Sequence, residues 1–347
     1  MARARVRATF RRCLAVATER SVDVVTIGGD LWEDEHVTRD TRASVARVLE
    51  GVGVPVLLIC GNHDPHLAGG NYQRTSWPAN VRLFDQGELE EERLDGVSIW
   101  GLSWTGSTLD AGFLDDFRAP GDGRTHLLLL HGTATHIPGL DVERSYCAFD
   151  PAAVRRAGFA CCLAGHIHAA SHRDGVVYPG SPEPLGWGEM GEHTAAIVDV
   201  TETDIAVELV PVADHRYREV EVDCEGCESG EETIERIDAM LAGQRDERTH
   251  LRVRLVGEVG RHCAIDRAAI EAHHREGLVE LAVCDDTRPA YDLEALALQQ
   301  TATGEFVRRL QAKIVEATQA ADRERFEAAL QIGLRALDGR RDLVDVD

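Results

Sequence analysis

The sequence predicts an α/β fold whose parallel strands deliver polar side chains to one edge of a sheet. Helical patterns at 6–17 and 41–49 each precede a short apolar run, at 22–27 and 54–59. This alternation is typical of parallel strands joined by helices. Apolar runs also end in glycine and polar residues, in the stretches Gly28-Gly29-Asp30, Cys60-Gly61-Asn62-His63-Asp64, His131-Gly132 and Gly165-His166-Ile167-His168. Because the carboxyl ends of parallel strands meet at one edge, we predict a functional site there.

Further elements extend this pattern along the first 213 residues. They are, in order, a loop at 65–78, strands at 94–100 and 127–130, a short helix at 151–157, a strand at 159–164 and a hairpin of strands at 194–200 and 205–210. The loop contains Gly69-Gly70 and Trp77-Pro78, which interrupt regular structure. It is therefore predicted to lie over the site.

The pattern changes near Asp214, and three segments are predicted: a catalytic domain at 1–213, a smaller α/β capping domain at 214–290 and a helical segment at 291–347. The second contains strands at 217–222, 250–255 and 278–284 and helices at 231–241 and 264–274. In the third, apolar residues recur at helical spacing, in the groups Phe306, Leu310, Ile314 and Phe326, Leu330, Leu334. These faces either pack within their own domain or bind a partner protein.

Composition limits the class of protein. No apolar run has the length needed to span a bilayer, so we predict no membrane association. Nine cysteines, an odd number scattered along the chain, argue against a disulfide framework and favour a cytoplasmic location. The net charge of −23 disfavours a polyanionic partner without excluding it, because bound metal ions and local arginine patches add positive charge.

The polar residues at the predicted sheet edge suit metal-dependent phosphoester hydrolysis. Two divalent ions about 3.5–4 Å apart can supply a nucleophile and neutralise the phosphate. Asp30 is the natural bridging carboxylate and Asn62 offers a carbonyl oxygen, while His131, His166 and His168 offer nitrogens. On an extended segment, His166 and His168 would point the same way, with Ile167 in the core. His63 is assigned to the leaving-group side.

Simpler interpretations exist for single residues. Asp30 alone would be a turn or cap residue, and His131 alone would be structural. The two tetrads, Gly61 to Asp64 and Gly165 to His168, are much less common by chance.

These motifs, in this order, resemble those of the calcineurin-like metallophosphoesterases. Further stretches resemble the SbcD- and YhaO-like DNA repair exonucleases within that family: Tyr178-Pro179-Gly180-Ser181-Pro182-Glu183, Gly188-Glu189-Met190-Gly191, Asp292-Leu293-Glu294 and Gly304-Glu305-Phe306. The resemblance implies a two-sheet β-sandwich flanked by helices, followed by a capping domain. It implies a manganese-dependent 3′ to 5′ exonuclease and single-strand endonuclease that acts on DNA. The implied partners are an SMC-like coiled-coil ATPase and a second copy of the chain.

The resemblance also assigns roles to residues. It implies two divalent metal ions, Mn²⁺ in this family, with Asn62, His131 and His166 on one ion, His168 on the other and Asp30 between them. It makes His63 the catalytic histidine and Asp64 its supporting partner.

One family motif is not found. The family begins with a strand that ends in Asp-x-His and holds the first metal, whereas this sequence begins with the helix that follows it. Either the start codon is placed too far downstream, or the subunit is naturally shortened and serves as a weakly catalytic scaffold. A phosphoprotein or nucleotide substrate is the other alternative to DNA.

Overall fold

The structure is a computed structural model that describes residues 2–109, 112–135, 146–201, 204–243 and 245–338. The chain divides into two compact units, Met1–Tyr217 and Arg218–Asp347. The end of the predicted helical segment, 339–347, lies outside the described residues.

The first unit combines helices with several short β-sheets. Its helices are α1 (Ala2–Glu19), α2 (Arg39–Glu50), α3 (Phe113–Asp116) and α4 (Pro151–Arg156). Its strands are β1 (Val25–Gly28), β2 (Val56–Ile59), β3 (Val81–Leu83), β4 (Glu90–Arg93), β5 (Val97–Leu102), β6 (Thr125–His131), β7 (Thr133–Ala134), β8 (Ala148–Phe149), β9 (Cys161–Gly165), β10 (Ser171–Arg173), β11 (Val176–Tyr178), β12 (Thr194–Val200) and β13 (Ile205–Pro211).

Two sheets carry the predicted motifs. The first has the order β1-β2-β3 and is parallel, with Val25 opposite Val56. The second has the order β10-β11-β9-β6-β5-β4, with parallel pairing from β11 to β5 and antiparallel pairing at both ends. The predicted hairpin is confirmed as β12 and β13.

The apolar side chains of β6 pack on both faces of the second sheet because successive residues of a strand point in opposite directions. Leu127 and Leu129 share a core with Leu57 and Ile59 of the first sheet. Leu128 and Leu130 belong to a second core, beneath α4. The predicted two-sheet α/β fold of the metallophosphoesterases is therefore confirmed.

Helices α1 and α2 cover the other face of the first sheet. Leu14 of α1 and Leu49 of α2 are buried against Val56. The Thr38 side chain caps α2 by accepting from the backbone N–H of Thr41. Because each helix leads into a parallel strand, its first turn lies toward the carboxyl edge of the sheet.

The second unit is also α/β. Its elements are β14 (Arg216–Asp223, which begins in the first unit), α5 (Gly230–Leu241), β15 (Asp246–Val256), β16 (Glu258–Val259), α6 (Arg267–His274), β17 (Leu278–Asp285), β18 (Arg288–Pro289), α7 (Leu293–Leu298), α8 (Ala302–Glu316) and α9 (Ala320–Leu337). Strands β14, β15 and β17 form its main sheet, and Cys224 and Cys227 are buried in its core. Leu330 and Leu334 of α9 pack with Phe306 and Leu310 of α8, so these predicted faces cover each other.

All nine cysteines are free thiols. Within the described ranges, no helix has the length and apolar character needed to cross a membrane.

Candidate metal centre

The carboxyl ends of β1, β6 and β9 meet where two glycines allow the sheets to approach closely. A Cβ atom on Gly165 would lie 1.9 Å from the carbonyl oxygen of Gly28. A Cβ atom on Gly61, after β2, would lie 2.1 Å from Oδ1 of Asp30. Neither glycine has a positive φ angle, so backbone conformation does not require them. They are required here because a side chain would keep the strand ends apart.

The structure brings four of the five predicted metal ligands together. Candidate ligand atoms of Asp30, His131 and His166 all lie within 4.8 Å of one another. Oδ1 of Asn62 lies 2.9 Å from Nε2 of His131 and 3.0 Å from Nδ1 of His166. Asp30 and Asn62 come from the first sheet, while His131 and His166 come from the second. The group therefore joins the two sheets.

His131 is held in the form that binds metal ions. Its side chain is fully buried, and Nδ1 lies 2.7 Å from the carbonyl oxygen of Gly28. Because a carbonyl only accepts hydrogen bonds, Nδ1 carries a proton, and Nε2 is the ring nitrogen that faces the cluster. Oδ2 of Asp30 lies 3.2 Å from that nitrogen. Oxygen and nitrogen lone pairs that converge in this way fit a divalent cation.

The charges of Asp30 and His166 also suit a cation. Burial opposes ionisation of Asp30, but the hydrogen bond and charge of His131 lower its pKa overall. Burial, with a contribution from His131, lowers the pKa of His166 to about 4. At neutral pH the site therefore offers a carboxylate and a neutral imidazole. Both residues have positive φ angles, 50° and 97°, a strained conformation that is common at functional sites.

Asp64 holds in place the two loops that carry Asp30 and Asn62. Its buried carboxylate accepts hydrogen bonds from the backbone N–H groups of Asp30, Leu31, Trp32 and Gly61 and from the hydroxyl of Tyr72, at 2.6–3.3 Å. Burial raises its pKa to about 6, although Tyr72 and the Gly61 N–H oppose this shift. Asp64 therefore fixes the loops after β1 and β2 relative to each other.

The predicted pairing of Asp64 with His63 is wrong. Nδ1 of His63 instead lies 2.9 Å from a carboxylate oxygen of Glu33, and the His63 side chain is half exposed. The backbone N–H of His63 donates to Oδ1 of Asp30 at 2.9 Å, so the imidazole lies beside the cluster. Sequence reasoning missed Glu33. Its position three residues after Asp30 was the available signal.

His168 differs from its predicted position. Strand pairing ends at Gly165 opposite His131, and the following positive φ of His166 turns the chain. The segment is therefore not extended, although Ile167 packs into the core as predicted. Nδ1 of His168 contacts Glu189, beside a cavity of about 390 Å³ that both residues line. His168 is not part of the described cluster of Asp30, His131 and His166.

A second group of possible ligands, in the other unit, has a different explanation. Asp238, His273 and His274 also have ligand atoms within 4.8 Å of one another. However, a guanidinium nitrogen of Arg245 lies 3.4 Å from Nδ1 of His274, and this donor uses the lone pair that a metal would need. We interpret this group as a hydrogen-bonded cluster at the end of α6.

Residues 3–170 match the family of the calcineurin-like phosphoesterases. The fold and the four clustered side chains agree with that match. This segment is therefore a calcineurin-like metallophosphoesterase domain. Proteins of that family are hydrolases that cleave phosphoester bonds with metal ions.

Three curated relatives are informative. The chain is 27% identical over 261 residues to YhaO of Bacillus subtilis, an uncharacterized metallophosphoesterase, covering 72% of this chain and 63% of YhaO. It is 28% identical over 242 residues to the DNA double-strand break repair protein Mre11 of Haloferax volcanii, covering 66% and 51%. The Mre11 protein of Methanopyrus kandleri is 27% identical over 378 residues, covering 98% and 79%. The chain thus spans about half to two thirds of the first two relatives.

Proposed function

We propose that this chain is a metal-dependent nuclease subunit that hydrolyses DNA phosphodiesters in DNA repair. The observation that carries the proposal is the convergence of Asp30, Asn62 and two histidines, with the His131 proton held on Nδ1 by Gly28. The printed names of two relatives, DNA double-strand break repair proteins, favour DNA as the substrate. The proposed activity is that of a 3′ to 5′ exonuclease and single-strand endonuclease.

Each residue of the cluster has a proposed role. Asp30, Asn62, His131 and His166 would hold one divalent ion, and Asp30 would also face a second ion near His168. When bound, such ions generate a hydroxide from water at neutral pH and neutralise charge on the phosphoryl oxygens. We propose Mn²⁺ as the ion. Asp64 positions Asp30 and takes no direct part in proton transfer.

His63 is the proposed acid that protonates the leaving oxygen of the substrate. Glu33 accepts from Nδ1, which leaves Nε2 as the nitrogen that exchanges a proton with the substrate. Glu33 therefore replaces Asp64 as the proposed partner of His63.

The test measures Mn²⁺-dependent release of nucleotides from linear duplex DNA. We expect His63→Gln to lower the rate by about 10²-fold or more, as expected for loss of a general acid. Asp30→Asn should abolish the activity together with metal binding. The control is His172→Gln, which changes an exposed histidine on β10.

Full activity in the His63→Gln or Asp30→Asn variant would contradict the proposal. Turnover of a phosphoprotein or a nucleotide diester without DNA cleavage would select a different substrate class.

One observation favours a second candidate function. Because His168 contacts Glu189 and lies outside the cluster, the described ligands favour one tightly held ion over two. A subunit with one ion would act as a weakly catalytic scaffold. Metal analysis that gives one ion per chain, with no hydrolysis of any phosphoester, would select this candidate.

We also propose that the subunit is cytoplasmic and acts with an SMC-like coiled-coil ATPase, and that two copies can associate. The free thiols support a reducing compartment. The apolar faces of α8 and α9 largely cover each other, so a partner would use their remaining exposed surface, which includes Val315 and Ile332. Co-purification with such an ATPase tests this part of the proposal.

A further inference from the structure

Helix α1 is strongly basic within a strongly acidic chain. It contains five arginines and one glutamate, Glu19 at its last position, whereas the whole chain has a net charge of −23. Three of the arginines, Arg3, Arg7 and Arg11, are exposed and recur every four residues. Side chains at this spacing lie on one face of a helix. We call these three residues the arginine row.

The arginine row is not needed to attach α1 to its own domain. Another face of the helix does this, through Arg5, Thr9 and Arg12. Arg5 and Thr9 each lie 2.7 Å from the buried carboxylate of Glu183, and Arg12 pairs with Asp214 at 3.0 Å. By contrast, no residue of the arginine row forms an ion pair with a described acidic side chain.

The arginine row begins toward the carboxyl edge of the first sheet, the edge that carries the candidate metal centre. Arg7 donates to the Thr41 hydroxyl at 2.8 Å, in the first turn of α2, and the loop that leads into this helix carries Asp30 and Glu33. Arg5, on the adjacent face of α1, donates to the carbonyl of Pro184 at 3.0 Å, five residues before Glu189. The row extends from this edge over about 12 Å, given a rise of 1.5 Å per residue. The acidic residue nearest in sequence to the contact between Arg7 and Thr41 is Asp40 of α2.

A phosphate polymer fits these observations. If one ester of a nucleic acid lies at the metal centre, the neighbouring phosphates must cross the adjacent surface. Guanidinium groups bind phosphate through two parallel hydrogen bonds and stay charged at any physiological pH. Duplex DNA carries about one negative charge per 1.7 Å of its axis, so a 12 Å row meets several phosphates.

We propose that Arg3, Arg7 and Arg11 form a contact surface for the phosphate backbone of the substrate, leading away from the metal centre. This inference rests on the proposed function, since it takes DNA as the substrate. It adds that binding of long polyanionic substrates depends on one face of α1. It also explains how a chain with this net charge can engage DNA.

The test compares the triple variant Arg3→Gln, Arg7→Gln, Arg11→Gln with a control of equal charge, Arg93→Gln, Arg118→Gln, Arg173→Gln. The control changes three exposed arginines elsewhere in the same unit. Binding to a duplex of about 30 base pairs is measured by fluorescence anisotropy with EDTA, so that the DNA stays intact, across a series of salt concentrations.

We expect the row variant to bind DNA about tenfold or more weakly at 0.1 M salt. The slope of log K against log salt concentration should also be smaller in magnitude by about 2 to 3, because about 0.9 counterions are released per phosphate contact. The control should bind as the parent does. With Mn²⁺, the ratio of DNA cleavage to hydrolysis of bis(p-nitrophenyl) phosphate should also fall in the row variant.

Two outcomes overturn the inference while leaving the proposed function intact: equal DNA binding by the parent and the row variant, or equal losses in the row variant and the control. Loss of binding to polyglutamate but not to DNA would indicate an acidic protein partner and also overturn it. If the parent cleaves the small diester but neither binds nor cleaves DNA, the proposed function and this inference both fail. Thermal unfolding of each variant checks that it is folded.

Discussion

The Asp64 carboxylate accepts five hydrogen bonds, and the groups that donate them determine where Asp30 lies. Four of these donors are backbone N–H groups, which remain in place after any substitution other than proline. The fifth is the hydroxyl of Tyr72, which is buried and lies 2.6 Å from Oδ2. Tyr72 therefore gives a way to weaken the support of the metal centre without changing a ligand.

We predict that Tyr72→Phe lowers both stability and metal affinity. A hydrogen bond to a charged group contributes about 1.5–3 kcal/mol, so a loss of about 1–2 kcal/mol in the free energy of unfolding is expected. The loops that carry Asp30 and Asn62 would also be held less firmly. Urea unfolding and calorimetric titration with Mn²⁺ measure the two effects.

A matched control for Tyr72→Phe is Thr9→Val, which removes a buried hydroxyl that donates to the Glu183 carboxylate at 2.7 Å. This variant should lose similar stability but keep its metal affinity. If Tyr72→Phe also binds metal as tightly as the parent, Asp64 does not support the site in the way described.

The sequence predicts the place of some residues in the candidate site better than that of others. Asp30, Asn62, His131 and His166 follow apolar runs, and the edge of a sheet collects whatever follows its strands. Glu33 lies within a loop, where the fold and not the strand order decides which side chain reaches His63. The role of Asp64 was predicted from its neighbour in sequence, but three of its five partners lie on the loop after β1.

At the scale of elements, the order and type of helices and strands follow from the sequence, whereas the end of a strand does not. The segment after β9 was predicted to stay extended, but pairing stops at Gly165 because its neighbour β6 ends at His131. The end of this strand depends on where a neighbouring strand ends, and a local pattern does not contain that information. His168 consequently points to Glu189.

The end of α6 gives a prediction on pH dependence. His274 is fully buried, and burial lowers its pKa, although Asp238 opposes this while His273 and Arg245 reinforce it. Below the unfolded value of about 6.5, the unfolded chain takes up a proton that the folded chain resists. Its contribution to stability should therefore be present above pH 6.5 and decline as the pH falls toward the folded pKa.

The measurement compares urea unfolding of the parent and His274→Asn at pH 7 and pH 5. The parent should lose more stability between these values than the variant does. His262→Asn, at an exposed histidine of the same unit, is the control. Equal losses in the parent and His274→Asn would show that another group causes the acid sensitivity.

At the scale of the whole molecule, the proposed metal ligands belong to two sheets that share an apolar core. The core between them includes Leu57, Ile59, Leu127 and Leu129. The sequence predicts the strands of each sheet from short apolar runs. It does not predict how close the sheets come, which depends on the paired absence of side chains at Gly28 and Gly165.

We predict that Mn²⁺ stabilises the first unit and not the second. At a free concentration one hundred times the dissociation constant, a bound ion adds about 2.7 kcal/mol to the free energy of unfolding. Differential scanning calorimetry of chelator-treated protein should show one transition that rises on addition of Mn²⁺. This rise in transition temperature should vanish in Asp30→Asn and persist in Asp238→Asn. If it vanished only in Asp238→Asn, the ion would bind in the second unit.

The close contact of Gly165 with Gly28 also has a consequence for the order of events during folding. Nδ1 of His131 reaches the Gly28 carbonyl only after the two sheets have come together, so the ligand group does not exist before that step. An ion that binds this group would therefore arrive late and would not guide the early pairing of strands. We expect it to slow unfolding, because it would have to leave before the sheets separate, and to leave the rate of folding unchanged.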